Sequence, residues 1–181
     1  MMRVIRLSER LQAIASCIDM EANVADIGTD HGFLPVYLAQ TGIARRIVAS
    51  DISSGSLASA KRSAEKYGVT GKIEFLHAPG LDGISVPSSE VMTPGEDNHL
   101  SRPDTAIDTV VIAGVGGETI ADILTDASWT AGAASGGKLK LILQPQTKLE
   151  KLREYLRKGG YALKDEKTVL DRGRTYTILI I

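Results

Sequence analysis

Cysteine is almost missing from this chain: Cys17 is the only one in 181 residues. That excludes an intramolecular disulfide and a thiolate cluster for zinc, and Cys17 reads as a small buried hydrophobe. Aromatic residues make up 4% of the chain, so stacking platforms for nucleic acid are scarce. No apolar run approaches the roughly 18 residues of a membrane span. The start carries Arg3, Arg6 and Arg10 with no apolar signal core behind them, so a cytoplasmic location without membrane partner is expected. Charge of one sign is not in surplus either. With 21 Lys+Arg against 22 Asp+Glu and a net charge of −1, the chain lacks the strongly basic balance usual in nucleic-acid modules. Any RNA contact must come from local patches.

A chain of this length buries roughly 70% of its unfolded surface around one core, and 43% apolar with 24% charged residues is a globular composition. A single domain over 1–181 is expected, opening with a helical segment over 1–22. β-Branched runs alternate with helical patterns, which predicts an α/β fold with a mainly parallel sheet. Leu7, Leu11, Ile14, Ala15 and Ile18 place an amphipathic helix over 8–19. Strands follow at 23–27, 47–50, 73–77, 109–113 and 138–143. Helices fall at 33–41, 54–67, 118–126 and 147–158, several ended by Gly (Gly42, Gly68, Gly159). A polar stretch rich in Pro, Gly and Ser over 78–106 interrupts the order as a long loop or insertion. The runs 161–169 and 174–181 flank Asp171, Arg172 and Gly173, a hairpin signal that closes the sheet in antiparallel fashion.

The segment Asp26-Ile27-Gly28-Thr29-Asp30-His31-Gly32 lies at the carboxyl end of the first strand, where a doubly wound sheet binds its ligand. Gly28 suits the tight turn, and Gly32 suits close packing as the next helix begins. Asp30 stands where a dinucleotide site would offer Gly to a pyrophosphate, and its carboxylate would repel a diphosphate. It is compatible with S-adenosyl-L-methionine, which carries no phosphate and has cationic sulfonium and ammonium groups. Asp26 can serve the ammonium. Asp51, nineteen residues beyond Gly32 at the end of the second strand, can accept both ribose hydroxyls with Ile52 beside it. Asp82 is the nearest acid for the adenine amino group, and Gly114 completes the cofactor set. No metal is expected.

Four motifs in order carry a resemblance: Leu7 to Leu11, then Val24 to Pro35 (VADIGTDHGFLP), then Asp108 to Gly117 (DTVVIAGVGG), then Leu141 to Gln146 (LILQPQ). Together they resemble the bacterial tRNA adenine-N1 methyltransferase family, TrmK, over essentially the whole chain. The resemblance implies a Rossmann-like class I S-adenosylmethionine-dependent methyltransferase fold, S-adenosyl-L-methionine as donor, and methyl transfer to N1 of adenosine 22 in tRNA. Three departures stand out. Ala78-Pro79-Gly80-Leu81 replaces the family's Gly-Asp-Gly-Leu, the 78–106 stretch is longer than usual, and the family's C-terminal coiled-coil domain is expected to be absent from this chain.

Methyl transfer asks the protein for positioning and electrostatics rather than a metal or covalent nucleophile. Alkylating adenine N1 moves positive charge onto the base, so a nearby carboxylate stabilises it. Asp30 is the first candidate, with His31 to orient it or touch substrate. Gly116 and Gly117 let backbone approach a planar base, while Gln144, Pro145 and Gln146 end the fifth strand, where an amide can meet a base edge. The Asn/Asp-Pro-Pro-aromatic motif of adenine-N6 enzymes is missing. Because N1 is occupied in a paired adenine, the target must be unpaired or extruded. Phosphate contacts are expected from Arg3, Arg6 and Arg10, or from Lys148, Lys151, Arg157 and Lys158. A monomer or weak homo-oligomer is expected. Two alternatives remain open on the residues alone: a small-molecule methyltransferase, and an inactive module that only binds S-adenosylmethionine.

Overall fold

A computed structural model describes residues 4–86 and 106–181, so Arg3 and most of the 78–106 stretch lie outside the described residues. Ser8 caps the first helix, α1 (Glu9–Ala15), its hydroxyl oxygen accepting from the Leu11 amide at 3.3 Å. The helix ends well before residue 19. The amides of Cys17 and Ile18 reach back three residues to the carbonyls of Ile14 and Ala15, and this tightened turn buries both side chains.

The remaining elements are β1 (Ala22–Ile27), α2 (Phe33–Thr41), β2 (Ala44–Asp51), α3 (Ser54–Lys66), β3 (Glu74–His77), β4 (Thr109–Val115), α4 (Gly117–Asp126), α5 (Trp129–Ser135), β5 (Lys140–Pro145), α6 (Leu149–Lys158), β6 (Asp165–Asp171) and β7 (Arg174–Ile180). Helix α5 was not anticipated, because WTAGAAS offers small residues and a Gly instead of an apolar stripe. Strand β2 starts three residues before the expected 47, since Ala44 pairs with Ala22 and Arg46 with Asn23. The hairpin strands run to Asp171 and from Arg174, leaving a turn of only Arg172 and Gly173.

The seven strands are ordered β3-β2-β1-β4-β5-β7-β6. The first five are parallel; β7 runs antiparallel to β5 and to β6. Both faces are covered, and the strand side chains divide between them by alternation. Val24 of β1 joins a core built with Ile14 of α1, Leu34 and Leu38 of α2 and Ala64 of α3. Ala25 and Ile27 join the opposite core with Ile120 and Leu124 of α4, Ala134 of α5 and Leu152 and Leu156 of α6. This is the Rossmann-like three-layer arrangement. The order in which successive strands are added reverses between β1 and β4, which opens a crevice at the carboxyl ends of these parallel strands.

Candidate functional site

The loop after β1 folds back on β2: the amides of Gly28 and Thr29 both donate to the Ser50 carbonyl, at 2.8 and 3.0 Å. Gly28, Asp30 and Gly32 all have left-handed backbone, with φ of 73°, 51° and 68°. At Gly32 the absence of a side chain is required, because a Cβ there would lie 2.8 Å from Ala60 Cβ where α2 meets α3. Asp30 adopts this conformation without being Gly, which costs on the order of 1 kcal/mol. Its amide donates to Asp51 Oδ2 at 3.1 Å, and the Ser53 amide donates to Asp51 Oδ1 at 2.8 Å. The Asp51 carboxylate is thereby aimed by two backbone donors, and each of its oxygens keeps a further acceptor direction.

A cleft of about 950 Å³ lies at these strand ends. Asp26, Gly28, Asp30, His31, Asp51 and Ile52 line it from β1 and β2, and Asp82 enters from the segment after β3. Gly114 and Gln146 approach from β4 and from beyond β5, and Arg10 from α1. Asp26 is buried, and its pKa is raised from 3.8 to about 6. Burial is the main cause and the neighbouring Asp51 charge adds to it, while the Thr29 hydroxyl and Arg10 pull the value back.

His31 and Asp30 are both exposed, with His31 Nε2 3.7 Å from Asp30 Oδ2. The His31 ring is held by Ser59 Oγ at 2.8 Å from Nδ1 and stacks on Phe33 at 5.4 Å between centroids. Arg10 is more tightly placed. Its Nη1 donates to Gln144 Oε1 at 2.7 Å, its guanidinium lies 5.6 Å from the Tyr176 ring centroid, and its amide donates to Asp171 Oδ2 at 3.4 Å.

Five of the residues expected to contact donor or base do not line the cleft, and neither do Lys148, Lys151, Arg157 and Lys158. Gln144 is fully buried: beyond accepting from Arg10, its Nε2 donates to the Pro145 carbonyl at 2.8 Å, so it holds Arg10 rather than presenting an amide to the cleft. Pro145 is buried at the end of β5. Gly32 serves the contact with Ala60. Gly116 caps α4, and at Gly117 a Cβ would meet the Lys148 carbonyl oxygen at 2.6 Å, so that Gly lets α4 approach the β5–α6 connection. Conversely, Asp171, Arg172 and Tyr176 of the hairpin and Asp122 and Asp126 of α4 line the cleft although sequence reasoning passed over them. For the hairpin residues the only local signal was the turn itself. For Asp122 and Asp126, four apart, a shared helix face was readable but its direction was not.

Among the described residues there is no group of three or more His, Cys, Asp or Glu side chains arranged to hold a metal, and no helix long and apolar enough to cross a membrane.

Comparison with known proteins adds three findings. Residues 7–179 match a family described as a methyltransferase domain. The chain is 37% identical over 180 residues to the tRNA (adenine(22)-N(1))-methyltransferase of Bacillus subtilis (strain 168), covering 99% of this chain and 66% of that one. The chain thus spans just under two thirds of this relative's length. Among solved structures, B. subtilis TrmK, an M1A22 tRNA methyltransferase, superposes with a TM-score of 0.76 at 34% identity, covering 97% of this chain and 65% of that one. TrmK of M. capricolum, solved with S-adenosyl-homocysteine, superposes with a TM-score of 0.72 at 29% identity, covering 96% and 67%.

Proposed function

Because the chain belongs to the methyltransferase-domain family, matched over residues 7–179, we propose that it transfers a methyl group from S-adenosylmethionine to N1 of adenosine 22 in tRNA. One observation carries the reading. The strand-end cleft is walled by Asp26, Asp30 and Asp51, an acidic lining suited to a phosphate-free cationic donor and hostile to a dinucleotide. The residues present fit such a donor: Asp51 has free acceptor directions for ribose hydroxyls, and Asp26 is a buried carboxylate whose charge lacks a full partner. Exposed Ile52 and Asp82 line the same cleft and suit the adenine ring and its amino group. When bound, S-adenosylmethionine supplies an electrophilic methyl on a sulfonium.

Asp30 is the candidate catalytic residue. Its side chain projects from a loop position fixed through Asp51 and is open to the cleft, so it can accept a hydrogen from the adenine amino group and stabilise positive charge building on the base. His31 beside it is suited to orienting that carboxylate. Arg10 and Gln146 stand on the acceptor side near Gly114: a Cβ at Gly114 would lie 3.5 Å from Arg10 Nη1 and 3.9 Å from Gln146 Nε2. The 37% identical B. subtilis tRNA (adenine(22)-N(1))-methyltransferase supports the choice of substrate.

Incubation with labelled donor and unmodified tRNA, followed by digestion to nucleosides, tests the reading. The expected product is 1-methyladenosine at position 22. Its absence at saturating donor and tRNA, with the B. subtilis enzyme active in parallel, refutes the proposal.

A further inference from the structure

The arginines that line the cleft at the carboxyl edge of the sheet gather at one end, where Asp171 is the carboxylate among them; Asp122 and Asp126 come from α4, and strand order places the other four carboxylates. Asp82 follows β3, Asp51 ends β2, and Asp26 with Asp30 belong to the end of β1. At the other end of the same cleft, β7 pairs antiparallel with β5, which brings the β6–β7 turn back to this edge. That turn contributes Arg172. Arg6, ahead of α1, and Arg10, within it, line the cleft with Arg172. The hairpin and Arg10 form one unit, since Asp171 accepts from the Arg10 amide and Tyr176 lies beneath the Arg10 guanidinium. Arg10 spends one donor on the neutral Gln144 amide. None of the three arginines makes an ion pair with a carboxylate among the described residues.

Arg172 is also an unfavourable choice for its position. It and Gly173 are the two central residues of the hairpin turn, with φ of 50° and 77°, a primed-turn geometry that favours Asn or Gly at the first of them. A long cationic side chain held there against local preference, facing a cleft that already holds two unpaired guanidinium groups, indicates a task outside the fold.

Resting on the tRNA reading above, we infer that Arg6, Arg10 and Arg172 form a clasp for RNA backbone phosphate beside the extruded target adenosine. The acidic end of the cleft takes the cationic donor and the arginine end takes the anionic strand, so the two substrates enter on opposite sides of the methyl-transfer point. Guanidinium groups suit this role because their forked donors match phosphate oxygens.

Arg172→Asn and Arg172→Gly test the clasp, since both relieve the turn and are expected to keep or raise Tm. Binding of unmodified tRNA is measured across a salt series. Each variant should weaken binding about fivefold near 0.1 M salt and reduce the slope of log K against log salt by about 0.7–0.9, the loss of one phosphate contact. Donor affinity by calorimetry should stay at the wild-type value. An unchanged slope in both variants, with wild type still forming 1-methyladenosine, overturns the clasp and leaves the functional reading intact. Loss of donor affinity with tRNA binding unchanged assigns the cation to the donor's carboxylate and likewise overturns it. A wild-type protein with no salt-dependent tRNA binding overturns both.

Discussion

Replacing Asp26 by Asn should uncouple the stability of the free protein from pH in a calculable window. Burial raises the Asp26 pKa from 3.8 to about 6, so the folded state holds its proton more tightly than the unfolded chain does. The corresponding stabilisation is fully present below pH 3.8 and is lost as pH rises through about 6. By that linkage, relative to low pH the folded state loses about 1 kcal/mol by about pH 4.5 and about 3 kcal/mol by about pH 7.5. Asn cannot ionise, so the stability difference between Asp26→Asn and wild type should shift in favour of the variant by about 2 kcal/mol between those two pH values. For a domain of this size that is a differential Tm change of roughly 4–8 °C. Thermal unfolding of both proteins without donor at the two pH values provides the measurement, and the comparison cancels any constant effect of placing an amide in the pocket. Curves that stay parallel from acid to neutral pH would refute the argument that the pocket holds this carboxylate charged at a cost. At neutral pH the same variant should bind S-adenosylmethionine more weakly, because the ammonium loses its counter-charge.

Three further outcomes are expected. Asp30→Asn, which keeps a residue type that tolerates the left-handed backbone, should leave Tm near wild type while lowering 1-methyladenosine formation by about 100-fold; undiminished transfer removes Asp30 from the catalytic role. Asp51→Ala deprives the Asp30 and Ser53 amides of their acceptor as well as the donor's ribose of its own, so calorimetry should show at least a tenfold loss of S-adenosylmethionine affinity. Gly32→Ala meets both a left-handed φ of 68° and the 2.8 Å approach to Ala60, whereas Gly28→Ala at φ 73° meets nothing within 4 Å. Urea denaturation should show the Gly32 variant to be the less stable by more than about 1 kcal/mol, and equal losses would contradict the close-packing account.

The features legible beforehand are local ones. Ser8 capping a helix at the Leu11 amide, Gly42 ending α2 in left-handed geometry and Ser53 opening α3 are set by residues within one helical turn of each other. Asp26, Gly28, Asp30 and Asp51 belong to two consecutive strand-to-helix connections, and parallel pairing of β1 with β2 makes their meeting at one edge nearly unavoidable once the alternation of elements is recognised. Helix α5 escaped notice because its small residues carry no periodic signal, and Gln144 was misdirected because strand ends can face the cleft or the core.

The acidic half of the site was therefore written in the order and spacing of residues, through turns, caps and strand ends that each involve a few neighbours. Of the arginine half, Arg6 and Arg10 were legible as phosphate candidates, whereas Arg172 and the way the three meet were not. Arg10 meets Gln144 of β5 across 134 positions and Asp171 across 161, and the second contact is possible because β7 inserts antiparallel beside β5 and carries the hairpin with it. That placement follows from burying Ile178, Ile180 and Leu179 on opposite sheet faces, a packing requirement of the whole core that no local spacing encodes.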